Sequence, residues 1–146
     1  MRGTARLSGV RGYQQYAVNE GATAGPEHLV VMAYDGMVRF LRDAEDAVRN
    51  RDHDRQNSCI QRVQNILSVL AASLDPSVDE GITRNLSALY DWYYLRLAEA
   101  NIKDDLEMLQ EVRAGIEGLR DAWQEAERRS RAERLALSPV ELQEAA

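Results

Sequence analysis

The side chains best able to do chemistry are few: the histidines His28 and His53, the cysteine Cys59, and an acidic group, Asp104, Asp105 and Glu107. Two-metal chemistry inside a helical bundle needs Glu-x-x-His on two helices and a glutamate on each of two others. That motif is absent. His28 stands next to a helix start and His53 in a polar connection, so neither joins carboxylates on an apolar face. A metal site needs several converging ligands, and both read as surface histidines. The acidic group lacks the alternating ligands and central glycine of a calcium loop, and helix capping accounts for it. Cys59, as the only cysteine, can form no internal disulfide and has no histidine base in the surrounding pattern. It reads as a small packed side chain in a reducing compartment. There is no glycine-rich phosphate loop and no Gly-x-Ser-x-Gly elbow. These residues assign no catalytic group, no metal and no cofactor, and the expectation is a chain that is not an enzyme and is stable without metal.

Recognition is the chemistry that the remaining residues suggest. Tyr90, Trp92, Tyr93 and Tyr94 crowd one turn and a half, and a single helical stripe cannot point all four into one core. Tyrosine and tryptophan suit recognition surfaces because each joins a large apolar face to a polar handle. Either Tyr90 and Tyr93 are core with the other two at a rim, or part of the set lines a groove. The partner is not expected to be nucleic acid or anionic membrane, since 24 acidic against 18 basic residues leave a formal charge of -6. Arg128, Arg129, Arg131 and Arg134 form the one basic cluster, after the last strong apolar repeat, where positive charge favours a helix C-terminus. The N-terminus has Arg2, Arg6 and Arg11 without the apolar stretch of a secretory signal, and no later segment has the length of a membrane span. A cytoplasmic protein with no membrane insertion is expected.

Four amphipathic helices must position these residues. At 146 residues one domain is the working assumption. The first helix begins at Pro26 after Gly25 and carries Leu29, Met32 or Ala33, Met37, Phe40, Leu41, Ala44 and Val48. The second, capped by Asp52 or Asp54, carries Ile60, Val63, Ile66, Leu67, Leu70 and Leu74, and Asp75 with Pro76 ends it. Ser77 and Glu80 have the spacing of a capping box for the third, which runs through Ile82, Leu86, Leu89, Tyr90, Tyr93, Leu97 and Ala100. Asp104 with Glu107 starts the fourth in the same way, and Leu106, Leu109, Val112, Ile116, Leu119 and Trp123 form its stripe. Short connections imply an all-α, antiparallel four-helix bundle. The expected organisation is an N-terminal arm or helical cap over 1–22, the bundle over 23–131, and a mobile acidic tail over 132–146 after a break at Ser138 and Pro139.

Several short stretches in this order resemble the flagellar secretion chaperones of the FliS type, over residues 12 to about 126. They are Gly12-Tyr13, Pro26 to Leu29, Tyr34-Asp35-Gly36, Phe40-Leu41, Asn65-Ile66-Leu67 and Ser73-Leu74-Asp75. The most specific is Asn85-Leu86-Ser87-Ala88-Leu89-Tyr90-Asp91, followed by Arg96-Leu97, Glu99-Ala100-Asn101 and Asp121-Ala122-Trp123. The resemblance implies a bundle that binds the C-terminal segment of newly made flagellin, prevents its polymerisation in the cytoplasm, and helps deliver it to the flagellar export gate. A flagellin terminus that is helical only in the filament exposes apolar stripes beforehand, and a groove in a bundle can cover them. By that resemblance Tyr13, Asn65, Asn85, Leu89, Tyr90, Tyr93, Leu97 and Asn101 form the flagellin-binding set, with the arm around Tyr13 lying over the groove until the client binds. Each asparagine has the alternative of capping or bonding within the bundle. An unrelated helical adaptor or dimerisation module is the competing reading.

Overall fold

Apolar residues at three and four residue steps wind into four helices in the computed structural model, which describes residues 25–145, with side chains from 28 to 133. They are α1 (Pro26–Arg49), α2 (His53–Ala72), α3 (Glu80–Lys103) and α4 (Leu106–Ala145). The N-terminal arm over 1–22, with Tyr13 and Tyr16, lies outside the described residues. Each helix packs on two neighbours, α1 on α2 and α4, and α3 on α2 and α4, which closes a four-membered ring. Cross-links show that neighbours run antiparallel. His28 meets Glu127 at 2.9 Å and Arg113 meets Glu45 at 2.6 Å between α1 and α4, while Gln56 reaches Asn101 between α2 and α3. The all-α four-helix bundle expected from the periodicity is the observed architecture.

The helix ends show which local chemistry prevailed. Proline opens α1 after Gly25, and Asp52 caps α2 by accepting from the Arg55 N–H at 3.2 Å. The expected box at Ser77 does not form. Ser77 donates instead to Asp75, from its hydroxyl at 2.6 Å and its backbone N–H at 2.9 Å, and Asp79 caps α3 through the Ile82 N–H at 3.0 Å. An aspartate two residues upstream competes for the serine, and that turn moves the helix start forward. The cap of α4 also shifts by one. Asp104 adopts the left-handed conformation, φ 52°, that closes α3, and Asp105 takes the capping role by accepting from the Met108 N–H at 3.1 Å.

The expected break at Ser138 and Pro139 is absent, since α4 continues to Ala145. Ala, Glu, Arg and Leu dominate from 125 to 137, and their summed helix propensity carries the helix through one proline. The arginine cluster therefore does not mark a helix end. Arg128 and Arg129 pair with Glu125, and Arg131 with Glu127, along the helix itself.

The core is drawn from all four stripes: Tyr34, Met37 and Leu41 of α1, Ile60, Val63 and Leu67 of α2, Tyr90, Tyr93 and Leu97 of α3, and Leu109, Val112 and Ile116 of α4. Cys59 is buried beside them. Across the diagonal of the ring, the Tyr34 and Tyr90 hydroxyls share a buried hydrogen bond of 2.6 Å. Burial pushes both phenols above their ordinary value, so both stay neutral at any physiological pH. Glu45, also buried, is held by two bonds from the Arg113 guanidinium, at 2.6 and 3.2 Å. No helix among the described residues is long and apolar enough to cross a membrane, and no group of His, Cys, Asp and Glu among them could hold a metal ion.

Candidate polypeptide-binding surface

α3 is built differently from its neighbours. Its apolar residues occur on the outward face as well as the inward one, and the large exposed hydrophobics among the described residues lie on it or just before it: Val78, Ile82, Trp92, Tyr94, Leu95 and Ile102. Leu95 and Ile102 are 69% and 83% exposed, seven residues apart and so on one line of the helix. Trp92, at 46%, stands three residues before Leu95. Its ring meets Tyr93 edge-on at 5.4 Å and lies under the Arg96 guanidinium at 5.7 Å. Arg96 is tied to Glu111 of α4 at 3.0 Å, which raises its already high pKa and fixes the indole from above. Tyr93 turns inward instead, against the backbone of α4 at Gly115.

The seam between α2 and α3 is fastened by side chains at one end and closed at the other by the 73–79 connection, to which the Thr83 hydroxyl donates at the Asp75 carbonyl, 3.3 Å away. Buried Gln56 donates to Asp104 Oδ1 at 2.9 Å and to Asn101 Oδ1 at 3.2 Å, and Asn101 donates to Asn57 at 2.9 Å. With the Asn101 carbonyl at 3.3 Å as a third acceptor around its nitrogen, Gln56 must face Asn101 amide-first, and its own oxygen is left without a partner. Two turns along, Gln64 donates to the Tyr94 carbonyl at 3.2 Å. Beyond it no hydrogen bond or ion pair joins the two helices among the described residues. There a cavity of about 280 Å³ is lined by Leu67, Ser68, Ala71 and Ala72 of α2 and by Tyr90, Asp91 and Tyr94 of α3. Small side chains on α2 leave the space, and Tyr90, hydrogen-bonded to Tyr34, forms its floor.

The eight residues singled out from sequence distribute unevenly over these features. Leu97, Tyr90 and Tyr93 are buried in the core, and Leu89 packs against it from the edge. Asn101 is occupied in fastening α2 to α3. Asn65 is exposed on α2, one turn from Ser68 at the lip of the cavity. Asn85 is exposed on α3, seven residues before Trp92 and so on the same line of the helix. Tyr13 lies outside the described residues. Of the four crowded aromatics, Tyr90 and Tyr93 are core while Trp92 and Tyr94 are exposed. Sequence reading missed the cavity. The available signal was the small residues Ser68, Ala71 and Ala72 close together near the end of α2.

Comparison with known proteins adds the relationship. A family model described as flagellar protein FliS matches residues 9–130. The chain is 38% identical to the flagellar secretion chaperone FliS of Bacillus subtilis over 122 residues, covering 84% of this chain and 88% of that protein. It is 30% identical to the proteins of the same name from Escherichia coli, over 81% of this chain and 88% of the relative, and from Campylobacter jejuni, over 77% and 88%.

Proposed function

The chain belongs to the FliS family of flagellar proteins, and from that premise we propose that it is a cytoplasmic flagellar export chaperone that binds the C-terminal segment of flagellin. On this reading it prevents premature polymerisation and delivers the client to the flagellar export gate without catalysing a reaction. The observation that carries the reading is the outward face of α3, where Trp92, Leu95 and Ile102 are exposed to water along one helix. Large apolar side chains left exposed along one helix are the mark of an interaction site. An amphipathic client segment laid along it would bury its own stripe in the helix-in-groove mode. A client that orders on binding keeps only part of the contact energy as affinity, which suits a partner that must be released for export.

Calorimetric titration of the C-terminal segment of the organism's own flagellin into the full-length protein tests this. Leu95→Ala and Trp92→Ala should each weaken binding about tenfold or more, at little cost in melting temperature. Tyr13→Ala should likewise affect binding more than stability, since its surroundings are too rich in glycine to support the core. Absence of binding by the unmodified protein would refute the reading.

A further inference from the structure

We propose that the seam between α1 and α4 carries a register code: four polar pairs of alternating polarity that fix which turn of α4 lies against which turn of α1. The code is needed because this seam has no connection of its own. Residues 50–52 join α1 to α2, 73–79 join α2 to α3 and 104–105 join α3 to α4, and each short connection limits how far its two helices can slide. α1 ends at Arg49 and α4 begins at Leu106, so the contact that closes the ring has to be set by side chains.

The apolar stripes cannot set it alone. Tyr34, Leu41 and Val48 on α1, and Leu109, Ile116 and Trp123 on α4, recur every seven residues. A slide of one heptad, about 10 Å along the axis, would again set apolar side chains against apolar ones over most of the seam. Polar residues flanking such a stripe distinguish one register from the next.

Four rungs flank it here. His28 meets Glu127 at 2.9 Å, Asp35 meets Arg120 at 3.6 Å, Arg42 meets Glu117 at 3.6 Å and Glu45 meets Arg113 at 2.6 Å. Facing a carboxylate, the His28 Nδ1 donates. α1 therefore offers donor, acceptor, donor, acceptor along its length, and α4 offers the complement. His28, Asp35 and Arg42 stand seven apart, as do Arg113, Arg120 and Glu127. Each other seam has one such pair among the described residues: Arg55 with Asp43, His53 with Asp104, and Arg96 with Glu111.

The order of the rungs penalises both neighbouring registers. One heptad in one direction sets Asp35 against Glu127 and Arg42 against Gln124, and of the described rungs keeps only Glu45 with an arginine, Arg120. One heptad in the other sets His28 against Arg120, Arg42 against Gln110 and the buried Glu45 against Leu106, and keeps only Asp35 with an arginine, Arg113. A buried carboxylate left without its cation is the costliest of these misfits. The more exposed rungs add little to stability, so their weight lies in the like-charge contacts that a slide would create.

Pulsed dipolar electron paramagnetic resonance on the full-length protein tests this, with spin labels at Arg49→Cys and Gln124→Cys in a Cys59→Ala background. Both labelled positions are exposed and stand far apart along the axis, so a slide of seven residues changes their separation by roughly 8 Å. One variant reverses two rungs from α4, Glu117→Arg with Arg120→Glu. A second reverses the same rungs from α1, Asp35→Arg with Arg42→Glu, and a third combines all four changes. None alters the net charge. The labelled parent should give a single distance, each half-reversed variant a second population displaced by about 8 Å, and the combined variant the single distance again. If the half-reversed variants keep the single distance, even with a lower melting temperature, the pairs do not set the register and the proposal is refuted. If the combined variant does not return to the parent distance, the effects belong to single side chains and not to pairing, which also refutes it. Where a half-reversed variant fails to fold, the combined variant decides: recovery of helix and of the single distance supports the code, and failure to recover overturns it.

Discussion

Gly115 and Gly118 offer a matched pair of substitutions on one helix with opposite expected signs. Alanine in place of a helical glycine gains about 1 kcal/mol of backbone stability when nothing opposes the added methyl. At Gly118 nothing lies within 4 Å of the new Cβ, so the gain should be kept, and the melting temperature should rise by about 3 °C. At Gly115 the new Cβ would lie 2.9 Å from Tyr93 Cζ and 3.2 Å from Cε1, and closer still to the hydroxyl oxygen. Carbon atoms in contact prefer about 3.5–4.0 Å. The ring cannot swing away cheaply because Tyr93 is buried and has Trp92 edge-on at 5.4 Å. Overpacking of this kind costs about 1–3 kcal/mol. Subtracting the gain in propensity leaves a loss of about 1 kcal/mol, and the two variants should differ by about 2 kcal/mol. Chemical denaturation of both, alone and with Tyr93→Phe, measures this. Phenylalanine removes the nearest atom, so Gly115→Ala should recover part of its loss in that background while Gly118→Ala is unaffected. Equal stabilisation by the two alanines would refute the placement of Tyr93 against α4.

Three further perturbations probe the rest of the core. Tyr34→Phe strands the Tyr90 hydroxyl and should cost about 2 kcal/mol by denaturant titration, whereas the double change to phenylalanine should fall nearer the unmodified protein. Arg113→Ala leaves the buried Glu45 carboxylate without its cation and should cost about 3 kcal/mol. Arg113 also holds the Glu117 carboxyl below its ordinary value of 4.5, so Glu117 stabilises the fold fully above that pH and loses its contribution as pH falls through the lowered folded value. Melts below pH 4.5 should therefore fall less steeply for Arg113→Ala than for the unmodified protein. Trp123 is only partly buried against the core, so Trp123→Ala should cost about 2 kcal/mol, below the 3–5 typical of full burial, and a melt decides it.

Periodicity made the bundle legible because each stripe has to face the same core. Leu41, Ile60, Leu97 and Leu109 stand where a period of 3.6 places them, and all are buried. The start at Pro26 was legible because no other residue there competes for it, and of the two candidates Asp52 and Asp54 the structure selects Asp52. They were misread where aspartates cluster: Asp75 captures Ser77, and Asp104 is drawn into closing α3 so that Asp105 caps α4. Spacing alone cannot say which of two adjacent acids takes the left-handed turn. The aromatic crowd at 90–94 was legible as a divided set, and its division follows from the helix angle. The cavity was not, because it depends on what is missing from α2 at positions opposite Tyr90 and Tyr94. Absent volume leaves no periodic trace.

The bond between Tyr34 and Tyr90 joins two helices that are not neighbours in the ring. Mechanically it is a strut through the centre. The floor of the cavity is braced by α1 on the far side of the core, whereas its α2 wall is held to α3 by Gln64 and the residues beyond it towards Asn101. Both walls thus lean on α1, the tyrosine through its hydroxyl and α2 through the buried Leu67 and Leu70, so a change in α1 is felt on the far face of the bundle.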